Sequence, residues 1–321
     1  MNAKRRRQGR QRRRSGIGGE LLFIMVLFLG CGIAIFTMFV NMITPLASTN
    51  DVELNRSLEN PSYEPWAQNS ATEQIGNHAS LIGMVPTDIR NITDTGYLAL
   101  INRRHAVSAE LGSELVPVWP TVPVSQSEEM LLHPMALQAV ADMFDAARST
   151  GVGSFFVSSG FRGYDTQAIL YNNGANGAYA LPPGHSEHHT GLAVDILAVG
   201  ISQAEMGSSW EGRWLAENSY RFGLILRYPQ GATHITGIEF EPWHFRYVGK
   251  PHAYFMRQNN LLLEEYIELL QNNGKVTFER DGRTYYVFHQ NPHNGLLYLP
   301  EALQYSVSGD NVGDFVITAW E

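Results

Sequence analysis

The chain is poor in cysteine and lacks several common catalytic motifs. One cysteine, Cys31, occurs among 321 residues, which excludes an internal disulfide framework and a cysteine-rich metal site. No Gly-x-Ser-x-Gly or Ser-x-x-Lys motif is present, so the sequence offers no recognisable nucleophilic serine. A His-Glu-x-x-His motif is also missing, which excludes a zinc protease of the thermolysin type.

Acidic residues are absent from the first 14 positions, and this absence divides the chain by charge. Eight of the 23 lysines and arginines lie there, between Lys4 and Arg14. Residues 15–321 contain the other 15 basic residues and all 31 acidic residues. The formal net charge is therefore −16 for this part, compared with −8 for the whole chain. A body this acidic argues against nucleic acid as a partner.

One long apolar run follows the basic cluster, from Leu21 to Ile43. As a helix it would span about 35 Å, enough for a hydrocarbon core of about 30 Å. Since basic residues stay inside, we expect a single-pass helix with a cytoplasmic N-terminus and an exported body. A cleaved signal peptide is the alternative, although its apolar region is normally about 7–15 residues long. Lipoprotein cleavage before Cys31 is disfavoured, because the apolar run continues beyond it.

Composition and periodicity predict five segments. A basic cytoplasmic tail (1–20) and the transmembrane helix (21–43) come first, followed by a linker (44–82) rich in Ser, Asn, Glu and Pro. The main domain occupies 83–273, and a small β appendage occupies 274–321. Short strands and helices mix in the main domain, so the predicted fold class is α+β, with a small antiparallel sheet flanked by helices.

Local patterns place the elements of these segments. Apolar residues at helical spacing predict helices at 133–149, 164–171, 202–220 and 254–271. Short apolar runs predict strands at 96–102, 155–158, 192–196, 223–228 and 238–248. Alternating residues around Asp281-Gly282 predict a hairpin of strands 275–280 and 283–288, with a further strand at 314–318.

A histidine and an aspartate, His188 and Asp195, lie seven positions apart with Gly191 between them. Seven extended residues would span about 23 Å, so the two side chains can share a metal ion only if the chain reverses. Glycine suits such a reversal. Asp195 falls in an apolar strand, where a buried carboxylate needs a partner, and a metal ion would be one.

A second cluster, Glu241-Pro242-Trp243-His244, follows about fifty residues later. In a straight strand Glu241 and His244 would point to opposite faces, but Pro242 predicts a turn that directs both toward one point. Two imidazoles and one carboxylate suit catalytic Zn²⁺, which keeps an open position for water. We therefore expect His244 as the third ligand and Glu241 as the general base.

Three motifs in this order carry a family resemblance over roughly residues 95–265. They are Ser159-Gly160-Phe161-Arg162 with Gln167, Ser186-Glu187-His188 with Gly191 and Asp195, and the stretch from Glu241 to Gly249. Together they resemble the VanY-type D-alanyl-D-alanine carboxypeptidases, members of the LAS group of zinc peptidases. Phe161 departs from the pattern, since tyrosine is common at that position in the family.

The resemblance implies a zinc peptidase core in the main domain and a role for each motif residue. Zinc would be bound by His188, Asp195 and His244, with Glu241 as the catalytic base; His185 and His189 are the neighbouring alternatives to His188. Arg162 would bind substrate or polarise the scissile carbonyl, as suits a permanently charged guanidinium. Gln167 and Ser186 would line the substrate pocket.

Export and the resemblance together imply an enzyme of the bacterial cell membrane that acts on peptidoglycan. The expected reaction is removal of the terminal D-Ala from stem peptides by attack of a metal-activated water. An L,D-carboxypeptidase acting on tetrapeptides and a wall endopeptidase remain alternatives within the same fold. A catalytically silent wall-binding module is the alternative of a different class, and the presence of all three ligands and the base argues against it.

Overall fold

The computed structural model of the protein describes residues 83–107, 114–125, 130–173 and 180–321. The predicted basic tail, transmembrane helix and linker lie outside these ranges. Within them, none of the helices combines the length and the apolar character needed to cross a membrane. The predicted domain boundaries remain predictions.

The described chain mixes helices and strands, as predicted. The α-helices are α1 (Pro134–Ser149), α2 (Tyr164–Asn173), α3 (Trp210–Asn218), α4 (Thr233–Thr236), α5 (Lys250–Gln258) and α6 (Leu263–Asn273). The strands are β1 (Met84–Asp88), β2 (Val116–Pro117), β3 (Leu131–Leu132), β4 (Phe155–Ser159), β5 (Ala193–Ala198), β6 (Leu224–Leu226), β7 (His244–Tyr247), β8 (Lys275–Arg280), β9 (Arg283–Gln290), β10 (Leu296–Pro300), β11 (Gln304–Gly309) and β12 (Phe315–Trp320).

Two four-stranded antiparallel sheets organise the fold. The first, the central sheet, has the strand order β4-β5-β7-β6. The second, the C-terminal sheet, has the order β11-β12-β9-β8. Two short pairs, β1 with β10 and β2 with β3, complete the strands.

Helix α1 covers the central sheet and forms the main core with it. Pro134 occupies the first turn, where its missing N–H costs nothing, and the His133 side chain accepts a hydrogen bond from the Met135 N–H. The buried face of α1, including Val140 and Phe144, packs against strand residues such as Val194 and Phe245. This packing fixes the helix and the sheet as one rigid support for the residues at the strand ends.

The sequence pattern was wrong about strand 96–102. Residues 97–102 do not form a strand in the structure, and the Leu100 N–H donates to the Asp310 carbonyl (2.9 Å). Leu98 and Ile101 are buried, but the carbonyls of Tyr97 and Ala99 accept hydrogen bonds from the Arg246 guanidinium instead of from a neighbouring strand. The apolar residues of this segment therefore indicate that it is buried, but they do not predict its backbone conformation.

The predicted strand 238–248 is shorter in the structure, because only residues 244–247 find pairing partners. The chain first forms the short helix α4, which ends at Gly237 in the left-handed region (φ 73°). A turn closed by the His244 N–H and the Glu241 carbonyl (3.1 Å) then leads into β7. The turn predicted from Pro242 is confirmed.

Two predicted helices are interrupted. The segment 202–220 consists of a 3-10 turn (Gln203–Ser208), α3 and another 3-10 turn (Ser219–Phe222). Its first break falls at Ser209, whose hydroxyl accepts a hydrogen bond from the Gly212 N–H and starts α3. The segment 254–271 divides at Asn260, whose φ of 51° cannot continue an α-helix, and the Glu265 carboxylate caps the start of α6.

The predicted hairpin is confirmed and belongs to a larger structure than expected. Asp281 and Gly282 both have positive φ (52° and 75°), as a two-residue turn of this type requires. Strands β10 and β11 were not predicted, and β10 pairs with β1 from the start of the described chain. Side chains of α6, including Tyr266 and Leu270, share a core with Val287 and Val316 of the C-terminal sheet.

Candidate metal centre

The register of the central sheet brings two predicted ligands together. Asp195 on β5 lies directly opposite His244 on β7 in the antiparallel pairing. The His244 Nδ1 atom is 3.0 Å from Asp195 Oδ1. The pairing of β4 with β5 has an irregularity between Val157 and Ser159, and Ser159 at the end of β4 lies opposite Asp195.

The third predicted ligand reaches the site from a tight turn. His188 lies in the 3-10 turn Glu187–Thr190, which ends at Gly191 with φ 69°. The reversal expected at Gly191 is therefore present. His188 Nδ1 is 2.7 Å from the Gly160 carbonyl oxygen, so this nitrogen carries the proton and Nε2 points to Asp195 Oδ2 at 3.5 Å.

These three side chains fit a metal ion by geometry and by chemistry. One ligand atom from each of His188, Asp195 and His244 lies within 4.8 Å of the others. Neighbouring ligands of a tetrahedral zinc ion stand about 3.4 Å apart, given bond lengths of about 2.0–2.1 Å. The observed distances of 3.0 and 3.5 Å bracket that value. Two imidazoles and a carboxylate are also a donor set that zinc accepts.

The electrostatics of the cluster also favour positive charge. Burial by itself would raise the pKa of Asp195, but the charges and hydrogen bonds of His188 and His244 lower it. Burial opposes a charge on His244, yet its hydrogen bonds to Asp195 and Glu187 raise its pKa to about 10. Burial lowers the pKa of His188. A divalent cation would supply the positive charge that the carboxylates attract.

Glu241 lies at the edge of this cluster and is not one of the three residues that could hold the metal ion. Its Oε2 is 3.8 Å from His244 Nδ1, and its side chain is 25% exposed, the most of the cluster. Burial raises the pKa of Glu241 to about 7. A carboxylate that holds a proton weakly near neutral pH has the property expected of a general base.

Arg162 is held rigidly beside the cluster. Its guanidinium donates hydrogen bonds to Gln167 Oε1 and Ser159 Oγ, both at 2.9 Å. Burial lowers its pKa, and the charges of Asp195 and Glu241 act in the opposite direction. The side chain therefore presents a fixed positive charge to the same space that Glu241 borders.

Gln167 and Ser186 are placed behind the site more than in an open pocket. Gln167 is buried, and its amide donates to the Leu181 carbonyl (2.6 Å) while its oxygen accepts from Arg162. Ser186 is buried immediately before the 3-10 turn. The structure thus places Gln167 as a support for Arg162.

The alternative histidines point away from the cluster. His189 Nδ1 contacts the Arg162 carbonyl (2.6 Å), its Nε2 accepts from the Gly184 N–H (3.0 Å), and its ring stacks on Tyr164. His185 Nδ1 contacts the Asn102 carbonyl at 2.8 Å. Both rings are used in holding loops, which leaves His188 as the member of this run in the cluster.

Sequence reasoning missed a group of buried charges behind His244. Glu187, Arg227 and Arg246 are fully buried, and Glu264 joins them from α6. The signal was available: Arg227 and Arg246 interrupt apolar strand runs, where a lone charge needs a buried partner. Their partners could not be identified from the sequence, because they lie far away along the chain.

A second cluster of possible metal ligands lies in the C-terminal sheet, and hydrogen bonds account for it. It comprises His289, Asp310 and Asp314. His289 Nε2 is 3.0 Å from Asp310 Oδ2, and Asp310 Oδ1 accepts from the N–H groups of Val312, Gly313 and Asp314. These contacts tie the β11–β12 connection to β9.

Comparison with known proteins gives consistent matches. A family model described as VanY, D-alanyl-D-alanine carboxypeptidase, matches residues 129–250. A D-alanyl-D-alanine carboxypeptidase of Enterococcus faecium is 32% identical over 317 residues, which cover 94% of this chain and 94% of that protein.

Two solved structures are similar to this fold, and they match different shares of the chain. The vancomycin-resistance D,D-dipeptidase VanXYg, in complex with a D-Ala-D-Ala phosphinate analogue, has a TM-score of 0.64 at 26% identity. The match covers 75% of this chain and 99% of that one. The LD-carboxypeptidase LdcB has a TM-score of 0.50 at 37% identity and covers 54% of this chain and 86% of that one.

Proposed function

Since the chain belongs to the VanY-type D-alanyl-D-alanine carboxypeptidases, we propose that it is a zinc-dependent D,D-carboxypeptidase of peptidoglycan stem peptides. The observation that carries the proposal is the convergence of His188, Asp195 and His244 beside Glu241. The similarity to the Enterococcus faecium carboxypeptidase over nearly the whole of both chains supports the substrate class.

The residues of this chain divide the work of hydrolysis. His188, Asp195 and His244 would hold the zinc ion, which when bound polarises a carbonyl and lowers the pKa of water to roughly 7. Glu241 accepts the proton of the attacking water and returns one to the leaving nitrogen as the peptide C–N bond breaks. Arg162, fixed by Gln167 and Ser159, donates hydrogen bonds to the carbonyl oxygen as negative charge develops on it.

The proposed location is the outer face of the bacterial cytoplasmic membrane. The apolar run from Leu21 to Ile43, with basic residues before it, supports a single membrane anchor. The segment 44–82 would then carry the enzyme toward the wall. Alkaline-phosphatase fusions after residue 60, made with and without residues 21–43, test this topology. We expect the phosphatase to be active only in the fusion that contains residues 21–43, because only that fusion is exported.

An L,D-carboxypeptidase is the second candidate, and the similarity to LdcB favours it specifically. The two activities differ in substrate: the D,D-enzyme cleaves the D-Ala-D-Ala bond of a pentapeptide stem, and the L,D-enzyme cleaves the last bond of a tetrapeptide stem. Both would use the same zinc site, so the residues around the metal do not separate them.

The decisive experiment is D-Ala release from pentapeptide and tetrapeptide stems by the purified protein. We expect release from the pentapeptide, loss of activity with a chelator and recovery with Zn²⁺. Glu241→Gln should lower kcat by at least about 100-fold with little change in zinc content, because it removes the general base and leaves the three ligands. Release from the tetrapeptide alone would replace the D,D-assignment by the L,D-assignment.

A further inference from the structure

Glu187 contacts the far side of a proposed metal ligand. The His244 ring lies between two carboxylates, with Nδ1 3.0 Å from Asp195 and Nε2 3.3 Å from Glu187 Oε2. A neutral imidazole binds a metal through one nitrogen and carries its proton on the other. The geometry at His244 therefore requires Nδ1 to face the metal and Nε2–H to donate to Glu187, the reverse of the arrangement at His188.

Glu187 is kept as a carboxylate by two arginines. Its Oε1 accepts hydrogen bonds from Arg227 Nε (2.8 Å) and Arg246 Nη1 (3.1 Å). All three side chains have no solvent exposure. A buried carboxylate is tolerated only with such partners, since an unpaired one would be costly. The acceptor for His244 Nε2–H is thus permanently charged and fixed in place.

The two arginines are themselves held from outside the central sheet. Arg227 donates to both carboxylate oxygens of Glu264 on α6, at 2.8 and 2.7 Å. Arg246 donates to the carbonyls of Tyr97 (3.2 Å) and Ala99 (3.1 Å). Two glutamates and two arginines balance in charge, and the group connects the His244 ring to α6 and to segment 97–102.

We propose that Glu187 is a positioning residue that fixes His244 in the tautomer with Nδ1 directed at the metal. Its carboxylate orients the ring and increases the electron density on Nδ1, which strengthens metal binding. Glu264 holds Arg227 from the other side and does not take part in the contact between Glu187 and His244. The inference rests on the proposed function only in taking His244 as a metal ligand, and it does not depend on which peptide is cleaved.

The test compares zinc affinity in Glu187→Gln and Glu264→Gln, measured by competition with a chromogenic chelator. The substitution Glu187→Gln replaces one carboxylate oxygen by an N–H₂ group. Either the arginines or His244 therefore lose their hydrogen-bond acceptor at this position. We expect Glu187→Gln to bind zinc about 10–100-fold more weakly than the wild-type protein. Glu264→Gln keeps the Glu187–His244 contact and should change zinc affinity by less than about threefold, while lowering thermal stability.

A spectroscopic readout tests the tautomer directly. In zinc-loaded protein with ¹⁵N-labelled histidine, we expect His244 to show a protonated Nε2 that exchanges slowly with water, and a metal-bound Nδ1. Glu187→Gln should accelerate that exchange. Glu187→Asp, which keeps the charge beside the arginines but withdraws it from His244, provides the same comparison if the glutamine variant does not fold.

Two results would overturn the inference. One is a wild-type His244 bound to zinc through Nε2. The other is an equal loss of zinc affinity in the Glu187 and Glu264 variants, which would mean that the buried charges stabilise the fold without positioning the ligand. Failure of the proposed function is separate: a wild-type protein that binds no zinc, or binds it and releases no D-Ala, would contradict that proposal instead.

Discussion

Gly191 adopts a backbone conformation on which the geometry of the site depends. With φ of 69° it ends the turn that carries His188 and starts the chain toward Asp195. Its N–H donates to the His188 carbonyl (3.3 Å), and its carbonyl accepts from the His133 N–H at 2.9 Å. The conformation and the close neighbours both favour a residue without a side chain.

The substitution Gly191→Ala should lower the free energy of unfolding by clearly more than the strain of a positive φ. That strain is roughly 1–2 kcal/mol for an L-residue. The new Cβ would also collide with the Leu115 side chain and stand 3.0 Å from the His133 nitrogen. Urea denaturation of the two proteins measures the difference.

Gly151→Ala is the matched control for this prediction. Gly151 also has a positive φ (78°), but a Cβ there would meet nothing within 4 Å. It should therefore show the conformational strain alone. Equal losses of stability in the two variants would contradict the claim that close packing around Gly191 matters.

Among the elements, α5 is joined to the C-terminal half of the chain by a buried histidine. His252 Nδ1 is 2.9 Å from the Tyr266 hydroxyl on α6, and its Nε2 is 3.0 Å from the Thr318 hydroxyl on β12. Burial lowers the pKa of His252 to about 3. The imidazole is therefore neutral in the folded protein at any pH well above that value.

Because of this histidine, the free energy of unfolding should decrease as the pH is lowered. The pKa of His252 is about 3 in the folded protein against 6.5 for an unperturbed histidine, so below pH 6.5 the unfolded chain binds the proton more strongly. The contribution to stability is complete above pH 6.5 and decreases as the pH falls toward 3, by up to about 1.4 kcal/mol per pH unit.

The measurement is the free energy of unfolding of wild-type protein and His252→Gln at pH 7 and pH 4.5. The wild-type protein should lose about 2–3 kcal/mol more than the variant over this range, because only its residue 252 takes up a proton on unfolding. Parallel losses in both proteins would show that His252 is not neutral and buried as described. Taking the difference between the two removes the contribution of the other titrating groups.

At the scale of the whole described chain, the C-terminal sheet shares a hydrophobic core with helices α5 and α6. Leu263, Tyr266 and Leu270 of α6 pack with Val287 and Val316 of that sheet. Helix α6 also supplies Glu264, which holds Arg227 beside Glu187. Removing the sheet should therefore expose the buried face of α6, and the resulting loss of stability should reduce the activity.

Deletion of residues 304–321 tests this dependence. The deletion removes β11 and β12 and with them the buried side chains of Val307, Val316 and Ile317. Each contributes about 1.5–3 kcal/mol, a sum comparable with a typical total stability of about 5–15 kcal/mol. We expect a protein that is largely unfolded or insoluble, with little D-Ala release.

The surface of the same sheet provides the control. Tyr305 is exposed on β11, so Tyr305→Ser should leave the melting temperature and the activity close to those of the wild-type protein. If the truncated protein melted within a few degrees of the complete one and kept its activity, segment 274–321 would be the separable appendage that the sequence suggests.

The sequence alone determined the features that depend on neighbouring residues. The reversal at Gly191, the turn at Pro242, helix α1 and the Asp281-Gly282 hairpin follow from local backbone preferences and periodicity. The metal site was predicted because Asp195 lies in an apolar strand, where a carboxylate needs a partner, and because a reversal at Gly191 can bring His188 close to it. Such signals can be read without knowing the fold.

Only the tertiary structure decided the features that depend on distant partners. Glu187 is 40 residues from Arg227 and 59 from Arg246, so its pairing exists only once β6 and β7 meet the turn. The length of β7 and the unpaired course of residues 97–102 likewise depend on which neighbour supplies the hydrogen bonds. Charge and apolar character state that a residue needs a partner, but the path of the chain determines which partner it finds.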